Sequence, residues 1–205
     1  MTAIIDYRAG NLTSVKNAFA AIGEETAVTS DAGEIASAER VVFPGVGAAR
    51  SAMRSLGELG LVDAVRRAAA EKPFLGICLG MQILFEHTEE DGGVDTLGIL
   101  PGRVRRFPDV PGFKVPEMGW NQVKGSDPCG LLRPMDEYYF VHSYYVEMNP
   151  AAVGRTEYAG VEFASAVRRG DLFATQFHPE KSGAAGLALL RAFLRAAAAK
   201  GGAAC

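Results

Sequence analysis

Apolar residues along this chain follow two rhythms, and the change between them divides the sequence. In the N-terminal part, short unbroken apolar runs alternate with runs at helical spacing. Thr2–Ile5 reads as a buried strand. Leu12, Val15, Phe19 and Ile22 then recur with a helical period, and Gly23 follows as a C-terminal cap. Arg40-Val41-Val42-Phe43 predicts a second strand ending at Pro44-Gly45, and Leu61, Val65 and Ala69 mark a helix. Pro73–Ile77 predicts a strand that feeds directly into a helix over Leu79–Phe85. Strands alternating with helices at this pace predict a mostly parallel sheet covered on both faces.

From Gly92 to about Ala174, Gly and Pro become frequent and strand-like runs dominate: Tyr138–Tyr145, Val161–Val167 and Leu172–Phe177. No linker separates this stretch, so it is expected to be an antiparallel β excursion of the same domain. Gly186–Ala199 is an Ala/Leu-rich helix, and 201–205 a flexible tail. The expectation is one α/β domain over residues 1–200, which suits a chain of 205 residues that is 48% hydrophobic.

Charge narrows the function classes. Twenty-one basic against 24 acidic residues give a net charge of -3, which argues against a general nucleic-acid-binding face and against a polybasic membrane patch. Apolar runs stay far below the ~18–20 residues of a membrane span. The opening Met1–Asp6 lacks the basic region of a secretory leader, and none is expected. Cys78, Cys129 and Cys205 are few, odd in number and without metal or redox spacing, which fits a reducing cytoplasm and predicts no metal site.

The chemistry concentrates at Gly76-Ile77-Cys78-Leu79-Gly80. A G-x-C-x-G turn between strand and helix has the physics of a nucleophile elbow: strained backbone at the nucleophile, and glycines that let neighbouring chains come close. The helix N-terminus favours thiolate, and the Leu79 amide points where an oxyanion forms. The bland alternative is a buried core thiol. Three histidines are candidate bases. His87 follows the elbow helix and most simply meets its C-terminus, and His142 lies within a strand-like run. His178 directly follows a strand, in Gln176-Phe177-His178-Pro179-Glu180, and so falls at the same sheet edge as the elbow. Glu180 is placed to orient its imidazole, although His-Pro-Glu by itself also fits a loop leading into a helix. Pro44-Gly45-Val46-Gly47 also ends a strand at that edge, where Gly45 and Val46 offer a second oxyanion donor. Arg50 occupies the third glycine position of a dinucleotide fingerprint, and no phosphate loop is present.

The elbow, extended through Met81-Gln82 and joined by His178-Pro179-Glu180, resembles the class I (triad) glutamine amidotransferase family. Asp6-Tyr7-Arg8-Ala9-Gly10-Asn11, Pro44–Gly47, Met118-Gly119-Trp120-Asn121 and Tyr139–Tyr145 are similar to the branch of that family that serves histidine biosynthesis. The likeness covers essentially the whole chain, with Arg8 where Gly is usual. It implies a three-layer fold, no cofactor, and a Cys78–His178–Glu180 triad that hydrolyses glutamine, with Gly45, Val46 and Leu79 as the oxyanion hole. It implies that Gln82, Glu90, His142, Ser143 and Tyr144 hold glutamine. It also implies that ammonia passes, within a heterodimer, to a cyclase subunit with a (β/α)8 barrel that makes imidazole glycerol phosphate and aminoimidazole carboxamide ribonucleotide.

Taken by type alone, these residues admit plainer readings. Gln82 lies one helical turn past Cys78 and could merely reach the helix surface. Glu90 could be a solvated acid, and Tyr144 ordinary strand packing. Asn11, Trp120 and Tyr138 are expected near the partner surface. Other readings keep the glutaminase chemistry with a vitamin B6, aminobenzoate or anthranilate partner, or make the chain a cysteine peptidase-like hydrolase. A non-catalytic binding module is a further reading, and the intact Cys78, His178 and Glu180 argue against it.

Overall fold

Alternation along the strands sorts the core into two layers. The computed structural model describes residues 1–8 and 11–198. Its N-terminal part comprises β1 (Thr2–Ile5), α1 (Leu12–Ala20), β2 (Thr26–Thr29), α2 (Ala32–Ser37), β3 (Arg40–Gly45), α3 (Ala49–Glu58), α4 (Val62–Glu71), β4 (Phe74–Cys78) and α5 (Leu79–Gln82). Successive strand residues point to opposite faces. Ala3, Ile5, Val41, Phe43 and Phe74 therefore pack with Ile35, Leu56 and Val65 under α2, α3 and α4. Ile4, Val42, Leu75 and Ile77 join Val15 and Phe19 of α1 on the other side. Both faces are covered, so these strands read as unbroken apolar runs.

The excursion supplies β5 (His87–Thr88), β6 (Val94–Asp95), β7 (Arg103–Arg106), β8 (Glu117–Gln122), β9 (Lys124–Gly125), β10 (Glu137–His142), β11 (Tyr144–Val146), β12 (Ala152–Tyr158) and β13 (Val161–Arg169). β14 (Leu172–Thr175) returns to the centre, and α6 (Gly183–Ala198) closes the layer beside α1. Among the described residues 12 strands form one sheet in the order β2-β1-β3-β4-β14-β13-β11-β7-β5-β6, with β12 branching from β13 and β9 pairing with β12. The strands from β2 to β14 are parallel, and β14 turns antiparallel onto β13.

The expected strand over Tyr138–Tyr145 is two strands. β10 pairs with β8 in a separate two-stranded sheet, whereas β11 pairs with β7 and β13 in the main one. The break falls at Ser143, whose carbonyl accepts from Phe107 N at 3.0 Å. The helix expected through Phe85 stops at Gln82, after a single turn. β2, α2, α3 and β12 went unpredicted, although α3 buries Ala49, Ala52 and Leu56 at helical spacing. The expected tail at 201–205, and the last residue of the expected C-terminal helix, Ala199, lie outside the described residues.

Register sets the site. Gly45 pairs with Cys78 across β3–β4, and Thr175 pairs with Ile77 across β14–β4. The carboxyl ends of three adjacent parallel strands thus deliver Gly45, Cys78 and the Gln176–His178 segment to one edge, where ligands bind in open parallel sheets.

Candidate active site

Cys78 ends β4 with φ 55° and ψ −111°, a backbone region that L residues rarely adopt. Such a conformation costs about 1–3 kcal/mol and persists only when the surroundings enforce it. Here they do. A Cβ on Gly80 would strike the Phe43 carbonyl oxygen, and one on Gly76 would stand 2.9 Å from Ala174 Cβ. β3 and β14 therefore close on the elbow from both sides, which is why both flanking positions are glycine. Leu79 takes the first helical position, so its N–H has no acceptor within α5 and remains free for an oxyanion.

His178 is fixed by its backbone before its side chain acts. Its N–H donates to Tyr139 O at 2.9 Å, and its carbonyl accepts from Ser182 Oγ at 2.6 Å. Phe177 beside it stacks on Tyr138, ring centroids 4.0 Å apart. Glu180 begins no long helix; it sits in a 3-10 turn over Pro179–Lys181, and its Oε1 accepts from His178 Nδ1 at 2.7 Å. Both side chains are buried. A carboxylate partner places the proton on Nδ1, which leaves Nε2, bonded to no oxygen or nitrogen, for the sulfur of Cys78. Burial alone would lower the basicity of this imidazole. The charge and hydrogen bond of Cys78, followed by Glu180, overcome that and push it up to about 10. The arrangement favours a protonated imidazole beside the sulfur.

One cavity of about 350 Å³ opens onto the sulfur, lined by Val46, Gly47, Cys78, Leu79, Gln82, Glu90, Pro116, Val141, Ser143, Tyr144, His142 and His178. The structure thus brings all five expected substrate residues to one cavity. Gln82 is buried rather than on a helix surface; its Nε2 donates to Tyr144 O at 2.7 Å and to Gln176 Oε1 at 3.0 Å. With both hydrogens committed, its amide offers the cavity an acceptor. Glu90 is half-buried and accepts from Ala49 N, at the start of α3, at 2.6 Å. Its carboxyl is raised, chiefly by burial. Gly45 lies one step away, in a cleft with Asn11, Val46, His178 and Glu180.

His142 lines the cavity as well. Its Nδ1 donates to Tyr144 O at 2.7 Å, and its Nε2 faces buried Glu117 Oε2 at 3.1 Å. Tyr138 corrects the expectation of a partner-surface residue: it is 1% exposed, because its ring fills the core against Phe177. Trp120 is 56% exposed, beside Met118 at 65%. Asn11 is partly exposed. His87 meets Asp95 at 2.8 Å, not a helix C-terminus. Gln176 and Glu117 were missed. Gln176 is a fully buried amide just past the end of β14, and nothing local in the sequence marks it.

Among the described residues no three His, Cys, Asp or Glu side chains gather as a metal site would require, and no helix is long and apolar enough to cross a membrane. The family model "Glutamine amidotransferase class-I" matches residues 3–197. The chain is 53% identical to the imidazole glycerol phosphate synthase subunit HisH of Methylococcus capsulatus, over 94% of this chain and 95% of that one. It is 51% identical to the HisH of Methanothermobacter thermautotrophicus, over 95% and 98%. A crystal structure of a glutamine amidotransferase, 20% identical, superposes with a TM-score of 0.74 over 96% of this chain and 98% of that chain.

Proposed function

The chain belongs to the class-I glutamine amidotransferases, and from that premise we propose that it is the ammonia-producing subunit of a synthase for imidazole glycerol phosphate in histidine biosynthesis. The observation that carries this reading is the assembled triad. Glu180 fixes the proton on Nδ1 of His178, and the opposite nitrogen is left for Cys78 on the wall of the cavity.

The chemistry follows from that geometry. The Cys78 sulfur attacks the side-chain amide carbon of glutamine. Negative charge moves onto the amide oxygen, where the Leu79 N–H and the Gly45–Val46 backbone are the donors. His178 gives its Nε2 proton to the departing nitrogen as the C–N bond breaks, releasing ammonia and leaving a glutamyl thioester. Water, deprotonated by the now neutral His178, cleaves the thioester to glutamate and restores the thiolate. Glu180 remains ionised and holds the ring in one orientation. Gln82 accepts from the substrate amide, and Glu90, Ser143 and Tyr144 receive the α-amino and carboxylate end.

Free ammonia at neutral pH is mostly protonated and a poor nucleophile, so a dry passage to the acceptor keeps it reactive. The partner in this reading is a cyclase with a (β/α)8 barrel, docked as a heterodimer in the cytoplasm over the face bearing Trp120, Met118 and Asn11. The Gly45–Val46 peptide is the element whose turning over would switch the oxyanion hole. The test is glutamate release by the purified chain, alone and with a cyclase subunit and its ligand, against Cys78→Ala. Ligand-stimulated release with a glutamate-to-imidazole product ratio near unity is expected, and an inactive variant. No stimulated release would overturn the reading.

A further inference from the structure

Around the Cys78 sulfur the neighbours do not all favour a thiolate. Val141 O lies 3.9 Å away, an acceptor that suits S–H and opposes S⁻. The elbow helix is one turn long, so its dipole adds little. On the remaining side, Gln176 Nε2 approaches the sulfur at 3.7 Å, within reach for an atom as large as sulfur.

Which end of the Gln176 amide faces the sulfur is fixed by a chain of buried bonds that starts at a backbone carbonyl. Tyr144 O can only accept, so the end of Gln82 that lies 2.7 Å from it must be the NH₂. The second hydrogen of that NH₂ then meets Gln176 at 3.0 Å, which must answer with its carbonyl oxygen. The other end of Gln176, its NH₂, is thereby turned to Cys78. Tyr144 O is itself held from the far side by His142 Nδ1 at 2.7 Å, and His142 is backed by Glu117. The side chains of Gln82, Gln176, His142 and Glu117 are all buried. An amide with one fixed orientation presents a donor without needing to reorganise during reaction.

We propose that Gln176 is a further catalytic residue, a hydrogen-bond donor to the Cys78 thiolate, and that Gln82, Tyr144, His142 and Glu117 are positioning groups that hold its amide in the donating orientation. The proposal deepens the glutaminase reading and rests on it for the identity of the reaction. His178 gives up its proton to the leaving nitrogen, whereas Gln176 keeps its hydrogens throughout. It therefore holds the sulfur again when the thioester is cleaved and the thiolate returns.

Alkylation of Cys78 by iodoacetamide tests this on the full chain without glutamine or partner. Labelling is followed by mass spectrometry of the Cys78 peptide as a function of pH. Gln176→Met keeps the side-chain length and removes the donor. Its acid limb is expected to move up by about one pH unit, slowing labelling ~10-fold on that limb, with the high-pH plateau unchanged. Gln82→Met leaves Gln176 in place but frees its amide to turn, and is expected to give a smaller shift in the same direction. It also keeps the question open to test should Gln176→Met not fold. An acid limb that stays in place overturns the proposal, whether or not the plateau falls, because a merely structural role lowers the plateau alone. A shifted limb in a chain that shows no partner-stimulated glutaminase would refute the glutaminase reading and leave the donor role standing.

Discussion

His178 shows how much one side chain depends on its neighbours. Burial pushes its imidazole down, and the sulfur of Cys78, then Glu180, push it up to about 10. An imidazole raised from an unfolded value of ~6.5 contributes stability in full below that value and loses it as pH climbs through the folded one. Cys78→Ala removes the two largest upward causes, so the ring should titrate well below the wild type. The stability lost between the unfolded value and about 10 should shrink with it. Ring ¹⁵N shifts of His178 with denaturation curves across that window check this, and equal titration in both proteins would refute it. Glu180→Gln should leave binding nearly unchanged and lower kcat by about 10²–10⁴-fold, because the tautomer is no longer fixed. Steady-state kinetics with the cyclase partner separates the two parameters. These roles were legible in the sequence because the elbow and His-Pro-Glu are local patterns. The buried place of Gln176 was not, since nothing local distinguishes it from a strand residue.

At the scale of elements, the site depends on how closely β3 and β14 approach the turn between β4 and α5. Gly80→Ala puts a methyl into the backbone carbonyl of Phe43, which has no flexible side chain to give way. The expected result is a loss of more than about 3 kcal/mol, or failure to fold, read from urea denaturation. Gly47→Ala has open space, and its cost is only the positive φ of 93°, about 1 kcal/mol. Equal melts for the two would contradict this account. Asp31 gives a milder case: its Oδ1 accepts from Glu34 N at 2.9 Å at the start of α2, and Asp31→Ala should cost about 1 kcal/mol. Element type was readable where an apolar period ran long, as in β1, β3, β4 and α1. It was misread where a strand changed sheets, because Tyr138–Tyr145 has one continuous β pattern and its division at Ser143 is set by Phe107, far away in sequence.

At the scale of the molecule, the triad lies at the carboxyl edge of the parallel strands, beside the cavity. Around it Met118 and Trp120 expose large apolar side chains on β8, and Lys181 lies over the ring of Tyr139 at 5.9 Å. A central exposed tryptophan is the residue type that most often dominates a protein interface. Trp120→Ala should weaken binding of the proposed cyclase partner by about 30-fold, the equivalent of ~2 kcal/mol, with the melting temperature of the isolated chain unchanged. Titration calorimetry measures the first and thermal denaturation the second; unchanged affinity would move the interface elsewhere.

The sequence by itself determined the alternation of strand and helix, the elbow at Cys78 and the pairing of His178 with Glu180, because each is written in residues a few positions apart. The tertiary structure alone decided the rest. It placed Tyr138 in the core rather than at a surface, split β10 from β11, set Nε2 of His142 against a buried carboxylate, and turned Gln176 toward the sulfur. Each of these is set by a partner distant in the chain: Phe177, Phe107, Glu117 and Gln82 respectively. Period and motif report which face a residue takes, while the direction of a buried hydrogen bond is fixed only when folding brings its acceptor into place.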